Sequence, residues 1–261
     1  MSHEQPRSKL NCLVTRPAHQ SGPLNQLLTN AGFNPINFPT IAIVAASPTP
    51  FLRDLQENIK HYDLVLFVSR NAVDFSFKFL DSSRLPASLQ FGVIGKGSWL
   101  ALKKQGIESQ LIPANSYNSE GLLESPGLQQ MIDRRVLIMR GQEGRNLLGD
   151  TLRERGARVD YCEVYRRQLP AVSAQDYAKL VAGHDPDIVI FTSAEGIKNC
   201  FQLVSEEQAR QLRELPWLLI SDRMRETARD LGHNGEIIIA DGASVQGIML
   251  ALRQWRKSIQ S

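Results

Sequence analysis

The chain repeats itself. Asp63-Leu-Val-Leu-Phe-Val-Ser69 returns later as Asp187-Ile-Val-Ile-Phe-Thr-Ser193, and Phe77 returns as Phe201 in the same register. The same offset relates Arg16 to Arg140, Leu24 to Leu148, Leu28 to Leu152 and Gly32 to Gly156. Towards the end of each copy the register drifts by a few residues. There Val93-Ile94-Gly95 faces Leu219-Ile220-Ser221, and Ser119-Glu120-Gly121-Leu122 faces Val245-Gln246-Gly247-Ile248. Self-similarity on this scale means one structural unit used twice, over about residues 10–128 and 135–253.

Each copy alternates strand and helix. Residues 11–15 form a short apolar run closed by Arg16-Pro17, which predicts a strand. Leu24, Leu27, Leu28 and Ala31 then fall at one-face helical spacing, and Gly32 supplies the stop. A second strand is expected near residues 36–38. The second copy repeats the pattern, with a strand at 135–139, a helix at 146–155, Gly156 as the stop and a strand at 158–164. Residues 63–68 and 187–192 are near-continuous apolar runs, the pattern of parallel strands buried on both faces. Residues 91–94 and 217–220 predict a further strand pair. Each precedes a helix, at 98–105 and 224–231, which ends at Gly106 or Gly232. Strands alternating with helices indicate an α/β protein with parallel sheets.

Ligands of open α/β sheets bind beyond the carboxyl ends of the strands. Those ends carry Thr15-Arg16, Ser69-Arg70-Asn71, Gly95-Lys96-Gly97-Ser98, Arg140-Gly141, Thr192-Ser193 and Ser221-Asp222-Arg223. Small hydroxylated residues, glycines and bases at helix starts suit a polyanion held largely by main-chain N–H groups. Ser and Thr at such places also serve as ordinary N-caps, so each residue has a structural use beside the functional one. The turn Arg140-Gly141-Gln-Glu-Gly144-Arg145 offers two guanidinium groups that suit carboxylates, or that merely flank a solvated turn. Tyr165, at the end of the second strand of the second copy, is a phenol able to move a proton, or a half-buried strand tyrosine with its hydroxyl at the surface.

Several classes are excluded by what is missing. Gly95-Lys96-Gly97-Ser98 lacks the third glycine and the acidic partner of a dinucleotide fingerprint, and no P-loop occurs. Ser69 and Ser193 lack the nucleophile-elbow context of a serine hydrolase. His3, His19, His61, His184 and His233 show no metal-ligand spacing, and Cys12, Cys162 and Cys200 form no CxxC pair. Neither a cofactor nor a metal is expected. Three separated thiols suit a reducing cytoplasm. No apolar run approaches a membrane span, and the first eleven residues lack a signal-peptide core. With 30 Lys plus Arg against 27 Asp plus Glu, the net charge of +3 is too small for a nucleic-acid footprint but leaves room for a local basic cleft.

Taken together, these residues resemble the uroporphyrinogen-III synthase family. The resemblance rests on Val14-Thr15-Arg16-Pro17, Phe67 through Val73, Asn118 through Leu123, Val136 through Gly141 with Gly144-Arg145, Leu152, Gly156, Val164 through Arg167, Phe191-Thr192-Ser193 and the Ser221 segment. It covers about residues 10–253. It implies two Rossmann- or flavodoxin-like three-layer α/β domains with parallel sheets, joined by a two-stranded linker with the active site in the cleft between them. Both domains are then discontinuous: about residues 1–37 with 168–261, and about 40–164, with linker strands near 38–40 and 164–168. The implied substrate is hydroxymethylbilane, a linear tetrapyrrole with eight carboxylates, cyclised with loss of water and inversion of ring D, and without a cofactor. By family position Tyr165 takes the catalytic role, as a proton donor to the leaving hydroxyl. The substrate-binding positions fall on Thr15, Arg16, Ser69, Asn71, Ser98, Arg140, Thr192 and Ser193. The family's usual Gly-x-Thr-Thr run is replaced by Ser221-Asp222-Arg223-Met224, where Arg223 supplies a charged contact instead.

Two other classes fit the pattern less well. A non-catalytic two-lobed protein for a small anion shares the hinge but is commonly exported. A regulatory relative commonly carries an extra domain, for which the duplicated unit leaves no room. The expected partners are the substrate and, transiently, the enzyme that supplies it, with neither nucleic acid nor membrane. A monomer is expected, since a hinge protein with a central cleft works as one.

Overall fold

The computed structural model describes residues 9–142 and 144–260. The N-terminal stretch expected to lack a signal-peptide core therefore lies mostly outside the described residues, and Glu143 of the glycine-rich turn lies outside them as well. Ten strands are present among the described residues: β1 Leu10–Val14, β2 Phe33–Asn37, β3 Ala42–Ala45, β4 Leu64–Phe67, β5 Gln90–Val93, β6 Arg135–Gly141, β7 Arg158–Gln168, β8 Ile188–Phe191, β9 Trp217–Leu219 and β10 Ile237–Ile239. They form two five-stranded sheets, in the orders β10-β9-β8-β1-β2 and β3-β7-β6-β4-β5. The β1–β2, β1–β8, β8–β9 and β9–β10 pairs are all parallel. So are β4–β5, β4–β6 and β6–β7. The expectation of an α/β protein with parallel sheets holds.

The chain divides into two compact units, one running to Ala42 and resuming at Gln168, the other Ile43–Arg167. The first unit combines β1 and β2 from one copy with β8, β9 and β10 from the other. The second combines β6 and β7 with β4 and β5, and a parallel bridge from Gly92 to Leu111 occupies the position beside β5 that β10 holds beside β9.

Within each unit the sheet is covered on both faces, because successive strand residues point to opposite sides. In the first unit Cys12, Val14, Ile188 and Ile190 face the helices Ala18–Asn30 and Val245–Ser258, meeting Leu24, Leu28 and Trp255. Leu13, Val189, Phe191 and Trp217 face the other way, onto Ile197, Cys200 and Leu212. In the second unit Val65, Phe67, Leu137 and Met139 pack on Val73, Phe75 and Leu102, while Leu64, Leu66, Val136 and Ile138 pack on Leu122, Leu148 and Leu152. This two-sided burial is why the strand sequences run apolar without alternation. Each such side chain contributes roughly 1.5–3 kcal/mol.

Three local readings shift. The buried stripe of the first helix runs through Ser21, Leu24 and Leu28, while Leu27 lies on its flank, 37% exposed. Its strand partner begins earlier than expected, at Phe33, because Gly32 adopts φ +79° and turns the chain straight from helix to strand. The helix expected from residue 98 begins at Lys96, because Gly95 takes the extended N-cap position. Ser98 therefore lies inside the first turn and is buried.

Candidate functional site

In the second unit the site is built where β4, β6 and β7 end. Ser69 leaves β4 in extended conformation and starts the helix Arg70–Ser76, its Oγ accepting a hydrogen bond from the Ala72 amide at 3.0 Å. The same hydroxyl lies 3.1 Å from the Tyr165 phenol oxygen. A register shift brings the two together. Arg140 of β6 stands opposite Glu163 of β7, but the next pair is Gly141 with Tyr165, so Val164 is the extra residue of a bulge. Bulges re-aim side chains, and here the neighbours Val164 and Tyr165 are both buried. The Tyr165 ring rests against Gly141, where a Cβ would stand 2.6 Å from its Cε2 and Cζ, and its centroid is 5.8 Å from that of Phe75. The ring is clamped and its hydroxyl points towards Ser69.

Ser69 and Tyr165 line a cavity of about 380 Å³, together with Arg140, Arg145, Tyr161 and Asn118 among others. Arg140 is largely committed to the protein itself. Its Nη1 donates to the Gly144 carbonyl at 3.2 Å and to Asn146 Oδ1 at 2.9 Å, and its Nη2 to Glu163 Oε1 at 3.3 Å. Its guanidinium lies 3.9 Å above the centroid of Tyr161. These contacts pin the turn between β6 and the helix Leu147–Glu154. The carboxylate-binding reading of Arg140 thus meets a guanidinium whose two terminal nitrogens already have acceptors, while its buried Nε has none among the described residues. Asn118 caps the helix Ser119–Leu123 through the Gly121 amide at 2.7 Å. Asn71 and Ser98 sit buried in the first turns of their helices, outside the lining of this cavity.

In the first unit a second group gathers at the ends of β1 and β8. Thr15 is 3% exposed and its Oγ1 donates to the Ile190 carbonyl at 2.8 Å. Thr40 Oγ1 donates to the Thr15 carbonyl at 3.3 Å. Ser193 caps the helix Ala194–Leu203, accepting from the Gly196 amide at 2.9 Å. A Cβ on Gly196 would lie 3.0 Å from Ser193 Oγ and 3.2 Å from Thr40 Oγ1, so these hydroxyls converge on one glycine. Thr192, half-buried, precedes Ser193. Arg16 follows Thr15. Its Nε and Nη1 are buried and have no hydrogen-bond partner among the described residues. Burial pulls this guanidinium below its ordinary pKa, the response of a charge taken out of water without a counter-ion. Arg223 is exposed at the start of the helix Met224–Asp230 and makes no capping bond, while its neighbours Asp222 and Arg225 pair at 2.6 Å.

Sequence reasoning did not single out Thr40, Tyr161 or Asn118 as candidate site residues. Asn118 stands in a stretch that carries the family resemblance, and its cap-then-helix spacing was the available signal. Thr40 and Tyr161 had none, since their positions depend on which strands become neighbours. No cluster of three or more His, Cys, Asp or Glu able to hold a metal occurs among the described residues, and no helix there is long and apolar enough to cross a membrane.

Comparison with known proteins follows the same lines. A family model described as Uroporphyrinogen-III synthase HemD matches residues 22–249. The uroporphyrinogen-III synthase of Salmonella typhimurium is 31% identical over 247 residues, covering 94% of this chain and 100% of that protein. The uroporphyrinogen-III synthase of Escherichia coli K12 matches to the same extent, 31% over 247 residues, with 94% and 100% covered. Among solved structures, a mutant uroporphyrinogen III synthase from the extremely thermophilic bacterium Thermus thermophilus aligns with a TM-score of 0.59 at 19% identity, covering 96% of this chain and 99% of that one. The enzyme from Helicobacter pylori 26695 gives a TM-score of 0.59 at 16% identity, covering 94% and 99%. The two structures share the fold, and the family model together with the enteric relatives establishes that this chain belongs to the uroporphyrinogen-III synthase family.

Proposed function

We propose that this chain cyclises hydroxymethylbilane, that strand-end groups take part in holding it, and that Tyr165 supplies the proton for the first step. The activity is that of the family, a cyclisation in tetrapyrrole biosynthesis. The observation that carries the finer reading is the clamped Tyr165 phenol, 3.1 Å from Ser69 Oγ in a cavity that arginines line.

The chemistry asks little of a protein nucleophile. The terminal hydroxyl of the substrate must leave, and a phenol that donates to it lets it depart as water rather than hydroxide. The azafulvene cation left behind is attacked by the substituted carbon of ring D, giving a spiro intermediate. That intermediate fragments and recloses with ring D inverted, and a proton lost from the substrate framework on rearomatisation restores the balance. Ser69 can steady the phenolate oxygen once the proton has gone, as its hydroxyl is already within hydrogen-bond distance. The remaining task is to hold a flexible polyanion in a nearly closed shape, which is catalysis by orientation. Arg16 suits it, because its two unpartnered buried nitrogens gain an acceptor when a carboxylate arrives. In the first unit Ser193, at a helix start, suits a supporting role with Thr15, Thr192 and Arg223, and in the second unit Asn71 and Ser98, in the first turns of their helices, suit the same role.

The domain limits proposed for the molecule are residues 1–37 with 168–261 and 40–164, with crossings near 38–40 and 164–168. A reducing cytoplasm is proposed as its location, supported by three cysteines that are all free. A monomer is proposed as the working form. The test of the catalytic assignment is Tyr165→Phe. The expected result is a kcat lower by about tenfold or more, with a much smaller change in product affinity. Equal losses in both quantities, or no loss, would remove Tyr165 from the chemistry.

A further inference from the structure

We infer that Arg145 is a substrate-carboxylate ligand of the second unit, and that Glu120 is a built-in carboxylate that holds its place until substrate arrives. The inference rests on the hydroxymethylbilane reading, takes up the second guanidinium of the glycine-rich turn and adds Glu120 to it.

Three arginines line the cavity beside Tyr165: Arg140, Arg145 and Arg167. Arg140 is bound to Gly144, Asn146 and Glu163, and it stacks on Tyr161. Arg167 also has interactions of its own. Arg145 is placed differently. Its Nη1 meets Glu120 Oε1 at 3.3 Å, and the two side chains are 72% and 48% exposed. An exposed pair of this kind is worth little, because water competes for both charges. It can be broken by any carboxylate that arrives with better-placed neighbours.

Both ends of the pair stand on fixed supports. Arg145 lies in the turn that Arg140 pins through Gly144 and Asn146. Glu120 lies in the helix Ser119–Leu123, capped by Asn118 and anchored by buried Leu122. Leu122 packs in the same apolar cluster as Leu148, at the start of the helix that follows Arg145. The guanidinium is thus held at the cavity and paired there with a carboxylate of the protein. The arriving ligand is itself a polycarboxylate. Binding is then an exchange of one carboxylate for another on Arg145, with Glu120 released to water. No bond is made or broken, and the charge on the arginine stays paired throughout.

The exchange gives the two partners opposite signs, which a merely structural ion pair would not. Steady-state kinetics with hydroxymethylbilane generated in situ would be measured on the wild type, Arg145→Gln, Glu120→Gln and the double variant. Arg145→Gln is expected to raise KM about two- to tenfold, with kcat changed far less. Glu120→Gln is expected to lower KM, because the competing carboxylate is gone. In the double variant KM should match that of Arg145→Gln alone, since Glu120 acts only through Arg145. Arg145→Lys should recover part of the loss. Thermal midpoints should stay close to the wild type in all of them, as both side chains are exposed. A rise in KM for Glu120→Gln, or an equal shift from that change whether or not Arg145 is present, would overturn the exchange. Failure of the underlying reading looks different: the wild type itself would give no type III isomer.

Discussion

At the scale of single residues, Tyr165 and its neighbours show how little space separates a structural contact from a chemical one. The phenol reaches Ser69 because the ring lies flat against a residue with no side chain. Gly141→Ala would place a methyl 2.6 Å from two ring carbons and 3.0 Å from the phenol oxygen. The ring must swing away, so the expected result is a loss of kcat comparable to Tyr165→Phe, together with a destabilisation of about 1–3 kcal/mol from overpacking. Both are measured by pairing turnover with denaturant unfolding. Unchanged kcat in Gly141→Ala would mean that the clamp does not position the phenol. A second residue-scale prediction concerns His233, whose ring lies 4.0 Å from the Trp217 ring and whose Nε2 is 3.0 Å from the Leu215 carbonyl. Burial lowers its pKa below the ordinary 6.5, only partly opposed by the bond to Leu215. The unfolded chain therefore binds this proton more readily than the folded one, and stability rises with pH through the window below 6.5 and levels off above it. Thermal midpoints taken between about pH 5 and pH 8 should fall on the acid side, and His233→Gln should flatten that part of the curve. An identical acid limb in the variant would assign the fall to other groups.

At the scale of elements, much was legible and the remainder has identifiable causes. The apolar runs around Val65 and Val189 predict buried strands because both faces of each sheet are covered. Gly32, Gly106, Gly156 and Gly232 mark helix ends, and all four take positive φ. Two things were not legible. The bulge at Val164 depends on the register between β6 and β7, which no single strand encodes. The start of the helix at Lys96 depends on Gly95 serving as N-cap, which displaced Ser98 from a cap into the buried first turn. The dual reading of the strand-end serines can be resolved at this scale. Ser193 caps the helix Ala194–Leu203, and Ser205, which follows a helix rather than a strand, caps Glu206–Glu214. Ser193→Ala and Ser205→Ala should each cost about 1 kcal/mol of stability, the usual worth of such a cap. Only Ser193→Ala should also raise KM. Matching kinetics in the two variants would reduce Ser193 to its capping role.

At the scale of the whole molecule, the duplicated sequence folds by exchange. Each unit takes its first two strands from one copy and the rest of its sheet from the other, and the chain passes between units after Ala42 and again after Arg167. Self-similarity alone could not show this, since equivalent strands of the two copies present the same apolar pattern to either sheet. The site was legible to a comparable depth. The hydroxyls and guanidiniums at strand ends were visible, but the commitment of Arg140 to its own turn and the orphaned nitrogens of Arg16 depend on packing between distant segments. The claim that joins fold to function is that this scaffold directs ring closure through the inverted ring D. The most direct measurement supplies the protein with freshly made hydroxymethylbilane, oxidises the products and separates the porphyrin isomers. Predominantly type III product is the expected result. Type I alone, the isomer of unassisted closure, would contradict it and leave a family fold that binds or regulates without catalysing.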